Sequence, residues 1–176
     1  MQIITVFNMT PQEYIKKFES LTINRPEKCQ KCGVYHSFHS HGCYWRNLLD
    51  DVYEERIPVV RFCCKVCNQT VSVLPSFALP YFQYSLEFII KALSIILKVI
   101  ADKLINLPAL FSFYKQRFFK NLIRIEMFFR DSQWLEASPS DEKQKAIKLI
   151  CMFTFPKAEI FSQRFHKQYK RCFMAR

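Results

Sequence analysis

Glycine is nearly absent from this chain: only Gly33 and Gly42 occur in 176 residues. Loops that cradle phosphates need several glycines so that backbone N–H groups can close on the anion, so neither a P-loop nor a Rossmann dinucleotide site is expected. Long apolar runs are missing too. The longest is the thirteen-residue stretch Phe88–Ile100, interrupted by Lys91 and Lys98, against roughly 20 residues needed to cross a bilayer. The chain therefore reads as soluble, with no membrane partner. Met1–Phe7 lacks the basic segment and extended apolar core of a secretory signal. A cytoplasmic location is expected, nucleoid-associated or free, where the eight cysteines stay reduced.

Acid is scarce. Fifteen Asp and Glu face 26 Lys and Arg, a formal charge of +11. Such an excess favours polyanions, nucleic acid before an anionic surface. It is uneven: residues 1–80 net +2, 81–134 net +4 and 135–176 net +5, so the basic character belongs to the C-terminal half.

What the chain has is hydrophobic bulk, at half of all residues with 18 Phe, and paired cysteines. Cys29-Gln30-Lys31-Cys32-Gly33 and Cys64-Lys65-Val66-Cys67-Asn68 are two turns of one form. Zinc takes four soft ligands in a tetrahedron, and each CxxC turn aims two thiolates at one point. The residue after each pair tends toward a left-handed conformation, which Gly adopts freely and Asn better than most. Cys29, Cys32, Cys64 and Cys67 are thus the expected ligands of one structural Zn2+. Cys63 is the competitor for Cys64, but would leave a Cys-x3-Cys spacing. The 31-residue gap between the pairs can be absorbed by a hairpin around 48–55. Cys43, Cys151 and Cys172 have no paired spacing and read as small hydrophobes or surface thiols.

Elements follow from pattern. Gln2–Phe7 reads as a short strand. Thr10-Pro11-Gln12-Glu13 is a capping box with Pro at the first helical position, starting a helix to about Ser20 that buries Tyr14, Phe18 and Leu21. Strand-like stretches follow at Ser37–Trp45, Arg56–Phe62 and Thr70–Leu74. Pro75 and Pro80 bracket a connector. Helices are expected at Tyr84–Leu104, apolar on nearly every side, and about Phe111–Arg130 after the break Asn106-Leu107-Pro108. A third starts from the Ser138–Asp141 box, and a fourth runs from Pro156 toward Lys170. The expected class is α+β, a small three-stranded zinc ribbon packed beside a mainly α-helical, helix-turn-helix-like bundle. The division is 1–28 for an N-terminal strand and capped helix, 29–80 for the ribbon and 81–176 for the bundle.

In Phe111–Arg130, Phe111, Tyr114, Phe118, Leu122, Ile125 and Phe129 form one apolar stripe at three- and four-residue steps. Arg117, Lys120 and Arg124 lie about 130° around the wheel by helical geometry, with Asn121 beside them. No acid falls between Phe111 and Ile125. This suits phosphate docking, with Arg and Asn able to reach base edges. Arg46 and Arg61 on the ribbon hairpin are the second set of expected nucleic-acid contacts. The last helix repeats the pattern, with Phe161, Phe165 and Tyr169 inward and Arg164, Lys167, Lys170 and Arg171 outward.

The runs His41-Gly42-x-Tyr44-x-Arg46, Arg61-Phe62-x-Cys64-x-x-Cys67 and Thr70–Pro75 resemble a transposase-type zinc ribbon. With Phe113–Phe118, Asn121–Asp131 and Lys170–Ala175, about residues 25–175 resemble a bacterial family of unknown function, found largely in Firmicutes, whose members look like mobile-element proteins. The resemblance implies a zinc ribbon beside a helix-turn-helix-like bundle, the same four cysteines as ligands, and DNA as partner. Cys63 departs from the pattern, standing where a basic or polar residue is expected, and Gln30 stands where Pro is common. His39-Ser40-His41 is similar to the paired histidines of single-strand nicking enzymes, but those carry a hydrophobic middle residue and a helical Tyr nucleophile. The pair reads as a surface feature able to touch phosphate.

Three functions are weighed. The first is a non-enzymatic zinc-ribbon protein binding double-stranded DNA, as a mobile-element accessory factor or regulator. The second is a zinc-stapled protein-interaction module, with a protein partner or self-association. The third is a compact transposase or nuclease. Two-metal phosphoryl transfer needs gathered carboxylates, whereas the acids here lie in Asp50–Glu55 or scattered along helices, so the first is expected.

Overall fold

The computed structural model describes residues 1–101, 108–134, 137–153 and 157–175. The chain divides into two compact units, Met1–Ser85 and Leu86–Arg176.

The first unit is built on a mixed sheet of four strands, β1 (Gln2–Thr5), β2 (Phe38–Leu49), β3 (Glu54–Cys64) and β4 (Thr70–Pro75), in the order β1-β4-β3-β2. β2, β3 and β4 form an antiparallel meander. β1 then adds in parallel to β4, with Gln2 opposite Ser72 and Thr5 opposite Pro75. The sheet therefore has four strands where the sequence reading gave three. The first residues belong to the same unit as the cysteine pairs because β4 offers β1 a hydrogen-bonding edge. β2 and β3 also run longer than expected, since a polar stretch such as Arg46-Asn47 pairs as well as an apolar one once a partner strand is present.

Alternation along β3 sends side chains to two different cores. Ile57 and Val59 join Leu48, Leu74, Phe77 and Ala78 around Tyr14 of α1 (Pro11–Lys17), with Phe18 and Leu21 packed against them. The Tyr14 hydroxyl donates to the Pro58 carbonyl at 3.0 Å. α1 starts as expected: Glu13 N–H donates to Thr10 Oγ1, and Glu13 Oε2 accepts from Thr10 N–H at 2.9 Å, with Pro11 at the first turn. Phe62 and Cys64 join Phe38, Val71, Val73 and Cys29 in the second core.

The second unit holds α2 (Leu86–Ala101), α3 (Ala109–Asp131), α4 (Glu142–Cys151) and α5 (Lys157–Tyr169). The expected helix end at Leu104, the break Asn106-Leu107 and the start at Pro156 lie outside the described residues. α2 packs against α3, α4 and α5. A helix apolar on nearly every side should be well buried. Instead α2 is amphipathic: Leu86, Ile89, Leu93, Ile96 and Leu97 are buried, while Lys91 pairs with Glu87 at 3.2 Å and Ile95 is 52% exposed. Asp141 caps α4 by accepting from Gln144 N–H at 2.8 Å, inside the expected box. Phe118, Phe128, Phe129, Phe153, Phe161, Phe165 and Phe173 supply an aromatic core. Glu126 of α3 is buried and ion-paired to Lys145 of α4 at 2.8 Å and Arg130 at 2.7 Å. Burial alone would raise its carboxyl pKa, but the Lys145 ammonium and Arg130 guanidinium outweigh this and hold it below the usual value.

Candidate metal centre

Each cysteine pair sits in a turn whose backbone is fixed before any ion is considered. In the first, Gly33 N–H donates to Cys29 O and Cys29 N–H to Val34 O, at 2.9 and 2.8 Å. In the second, Asn68 N–H donates to Cys64 O and Cys64 N–H to Gln69 O, at 2.9 and 3.1 Å. The two loops repeat one hydrogen-bond pattern. Gly33 and Asn68 take φ of 77° and 56°, the left-handed region anticipated for the residue after each pair. β3 carries Cys64 into the second core, and the first turn lies over the same face through Cys29.

This brings the sulfurs of Cys29, Cys32, Cys64 and Cys67 within 4.8 Å of one another. Cys29 Sγ lies 3.6 Å from Cys67 Sγ, and Cys32 Sγ lies 3.7 Å from Cys64 Sγ. An ion at the centre of a thiolate tetrahedron, with bonds of about 2.3 Å, sets its sulfurs about 3.8 Å apart. The four side chains fit a metal. Cys29 and Cys64 are buried, Cys67 is half-buried and Cys32 is exposed.

The surroundings already separate the thiols. Backbone N–H groups of Cys32 and Lys31 reach Cys29 and lower its pKa to about 6. Those of Cys67 and Val66 lower Cys64 in the same way. Cys67 receives the Gln69 N–H, which acts to lower it, yet burial and three neighbouring sulfurs push it up to about 12. Cys63, the alternative to Cys64, stays out of the cluster because the strand pleat turns adjacent residues to opposite faces.

The expected nucleic-acid residues are placed very differently. On α3, Lys120 is exposed; Arg117 and Arg124 are half-buried, with the Arg117 guanidinium 4.9 Å from the centre of the Phe113 ring. Asn121 is 2% exposed. Its Nδ2 donates to the carbonyls of Arg117 and Ala175, each at 2.8 Å, and its Oδ1 accepts from Arg124 at 3.0 Å. Asn121 therefore leaves the expected basic face and acts as a clamp between α3 and the last residues. On the sheet, Arg46 donates to the carbonyls of Leu79 and Phe82, which ties β2 to the connector after β4. Arg61 is half-buried, 5.7 Å from the centre of the Tyr44 ring. Among the described residues, no helix is long and apolar enough to cross a membrane.

No curated protein and no solved structure matches the chain. Residues 29–104 match a family model described as Domain of unknown function (DUF6431). The match spans both cysteine pairs, the β2–β4 meander and α2. It supports a family of unknown function over 29–104 of the expected 25–175, and does not reach the segments Phe113–Phe118, Asn121–Asp131 and Lys170–Ala175.

Proposed function

We propose that the chain is a non-enzymatic zinc-ribbon protein that binds double-stranded DNA in the cytoplasm, as a mobile-element-associated accessory factor or regulator. Zinc is the ion of choice for four thiolates at tetrahedral spacing, which hard cations such as magnesium or calcium do not favour. The observation that carries the DNA reading is charge placement. Residues 86–176 hold 17 basic against 8 acidic residues, while residues 1–85 are nearly balanced at nine against seven. α3 concentrates this charge, with an acid-free stretch from Phe111 to Ile125 and Arg117, Lys120 and Arg124 off the buried stripe. In this reading α3 is the recognition element of a helix-turn-helix-like bundle. Two of the acids are held in local contacts, Glu126 between two cations and Asp50 by the Ser85 hydroxyl and Asp51 N–H.

The test is the Arg117→Ala/Lys120→Ala/Arg124→Ala triple variant. Each phosphate contact contributes roughly 0.9 to the slope of log affinity against log salt on duplex DNA. The slope should fall by nearly three if all three touch phosphate. Because Arg124 also donates to buried Asn121, the Arg117→Ala/Lys120→Ala double variant, with a fall of nearly two and the melting temperature little changed, separates binding from folding. An intact variant with unchanged affinity and slope refutes the assignment of α3.

One observation favours a protein partner instead. Phe113, Ile123 and Met127 of α3 are 40%, 72% and 49% exposed, among the basic residues rather than beneath them. A zinc-stapled interaction module would lose partner binding on Ile123→Asp and show no salt-dependent affinity for DNA.

A further inference from the structure

We propose that His39, His41 and Cys63 form a second metal site, on the sheet face opposite the four-cysteine centre, for a divalent ion of the zinc class. Three observations converge on it. The β2–β3 register sets His39 opposite Cys63, and cross-strand partners share a face. Neighbours on a pleated strand point to opposite faces, so as Cys64 joins the four-cysteine cluster Cys63 is delivered to the other side. His41, two residues beyond His39, returns to the same side. There the register shifts between Ser40 and Cys43, where Gly42 has φ of 75°. That bulge adds a residue to β2 and frees His41 from regular pairing.

The ligating atoms of the three residues all lie within 4.8 Å of one another. The two imidazoles stand edge to face, with centroids 6.3 Å apart. Both histidines are exposed and Cys63 is buried at 7%. Bonds of about 2.0–2.1 Å to nitrogen and 2.3 Å to sulfur need a somewhat tighter group. Rotation of two exposed imidazoles supplies this without moving the core. Two imidazoles and a thiolate are borderline-to-soft donors, which select zinc-class ions over magnesium and calcium. Three protein ligands leave a fourth position for water or a donor from a partner. This second site is independent of the DNA reading.

Zinc content of the 176-residue chain, equilibrated in a metal buffer well below micromolar free zinc, is the experiment. Native protein should hold two equivalents, and His39→Ala/His41→Ala one, with an unchanged circular dichroism spectrum. Cys63→Ala should also drop to one, but it lies beside Cys64, so the exposed histidine variant decides. Cobalt titration reports the ligands: the second equivalent should add a charge-transfer band of one thiolate, absent from the histidine variant. One equivalent in the native chain overturns the site. So do two equivalents retained in the histidine variant, or a second cobalt bound without a thiolate band.

Discussion

Cys29→Ser should cost the chain the metal of its four-cysteine centre and unfold residues 1–85 while the helical unit keeps its helicity. Cys29 has no exposed surface and packs with Phe38, Phe62, Val71 and Val73, so its sulfur is both a ligand position and part of the second core. Structural zinc contributes on the order of 10–16 kcal/mol in small zinc modules. An ordinary domain is stable by about 5–15 kcal/mol in all, so losing one of four ligands removes most of what holds this unit. Serine oxygen is a poor thiolate substitute and would sit in an apolar pocket. Cys67→Ser should behave alike. Cys43→Ser, at an exposed position outside the cluster, should keep both metal and fold. Elemental analysis with near-ultraviolet circular dichroism reads both effects. Full metal retention by Cys29→Ser and Cys67→Ser would contradict the assignment.

Phe161→Ala should destabilise the helical unit by about 3–5 kcal/mol, the usual range for emptying a buried aromatic site. Phe161 is 1% exposed. Its ring stacks on Phe153 at 4.2 Å and on Phe129 at 5.1 Å, and lies 5.3 Å from both Phe128 and Phe173. These neighbours come from α3, the turn after α4, and the segment after α5, so no single shift can refill the void. Domains of this size lose roughly 4–8 °C of melting temperature per kcal/mol, a fall of more than about 12 °C by calorimetry. Phe113→Ala, on the exposed side of α3, should change stability little. A comparable loss at both positions would mean that the Phe161 cluster is not the core.

What was legible in the sequence was local. The capping box at Thr10, the left-handed residues after each CxxC and the apolar stripe of α3 depend on neighbours within a few positions, and all appear in the structure. What escaped needed long-range partners. Gln2–Phe7 was legible as a strand, but its place in the same sheet as the cysteine hairpin was not, because its partner β4 lies some 70 positions on. Asn121 read as a surface amide, because nothing near it in sequence shows that the Ala175 carbonyl will meet it. Arg46 looked free for phosphate until the connector carbonyls closed on it. His39-Ser40-His41 and Cys63 were each conspicuous, and the signal that joins them was the strand register, which a bulge at Gly42 hides.

Whether this zinc-stapled chain binds duplex DNA through its basic helical unit is decided by affinity for random duplex, single-stranded DNA and RNA across a salt series. Binding to duplex should be tightest at low salt. Its log–log slope should be about −2.7 or steeper, −2.7 being the value for three phosphate contacts, and duplex should be preferred over the other two. No measurable affinity for any nucleic acid at low salt, from a folded and metal-loaded chain, would contradict it.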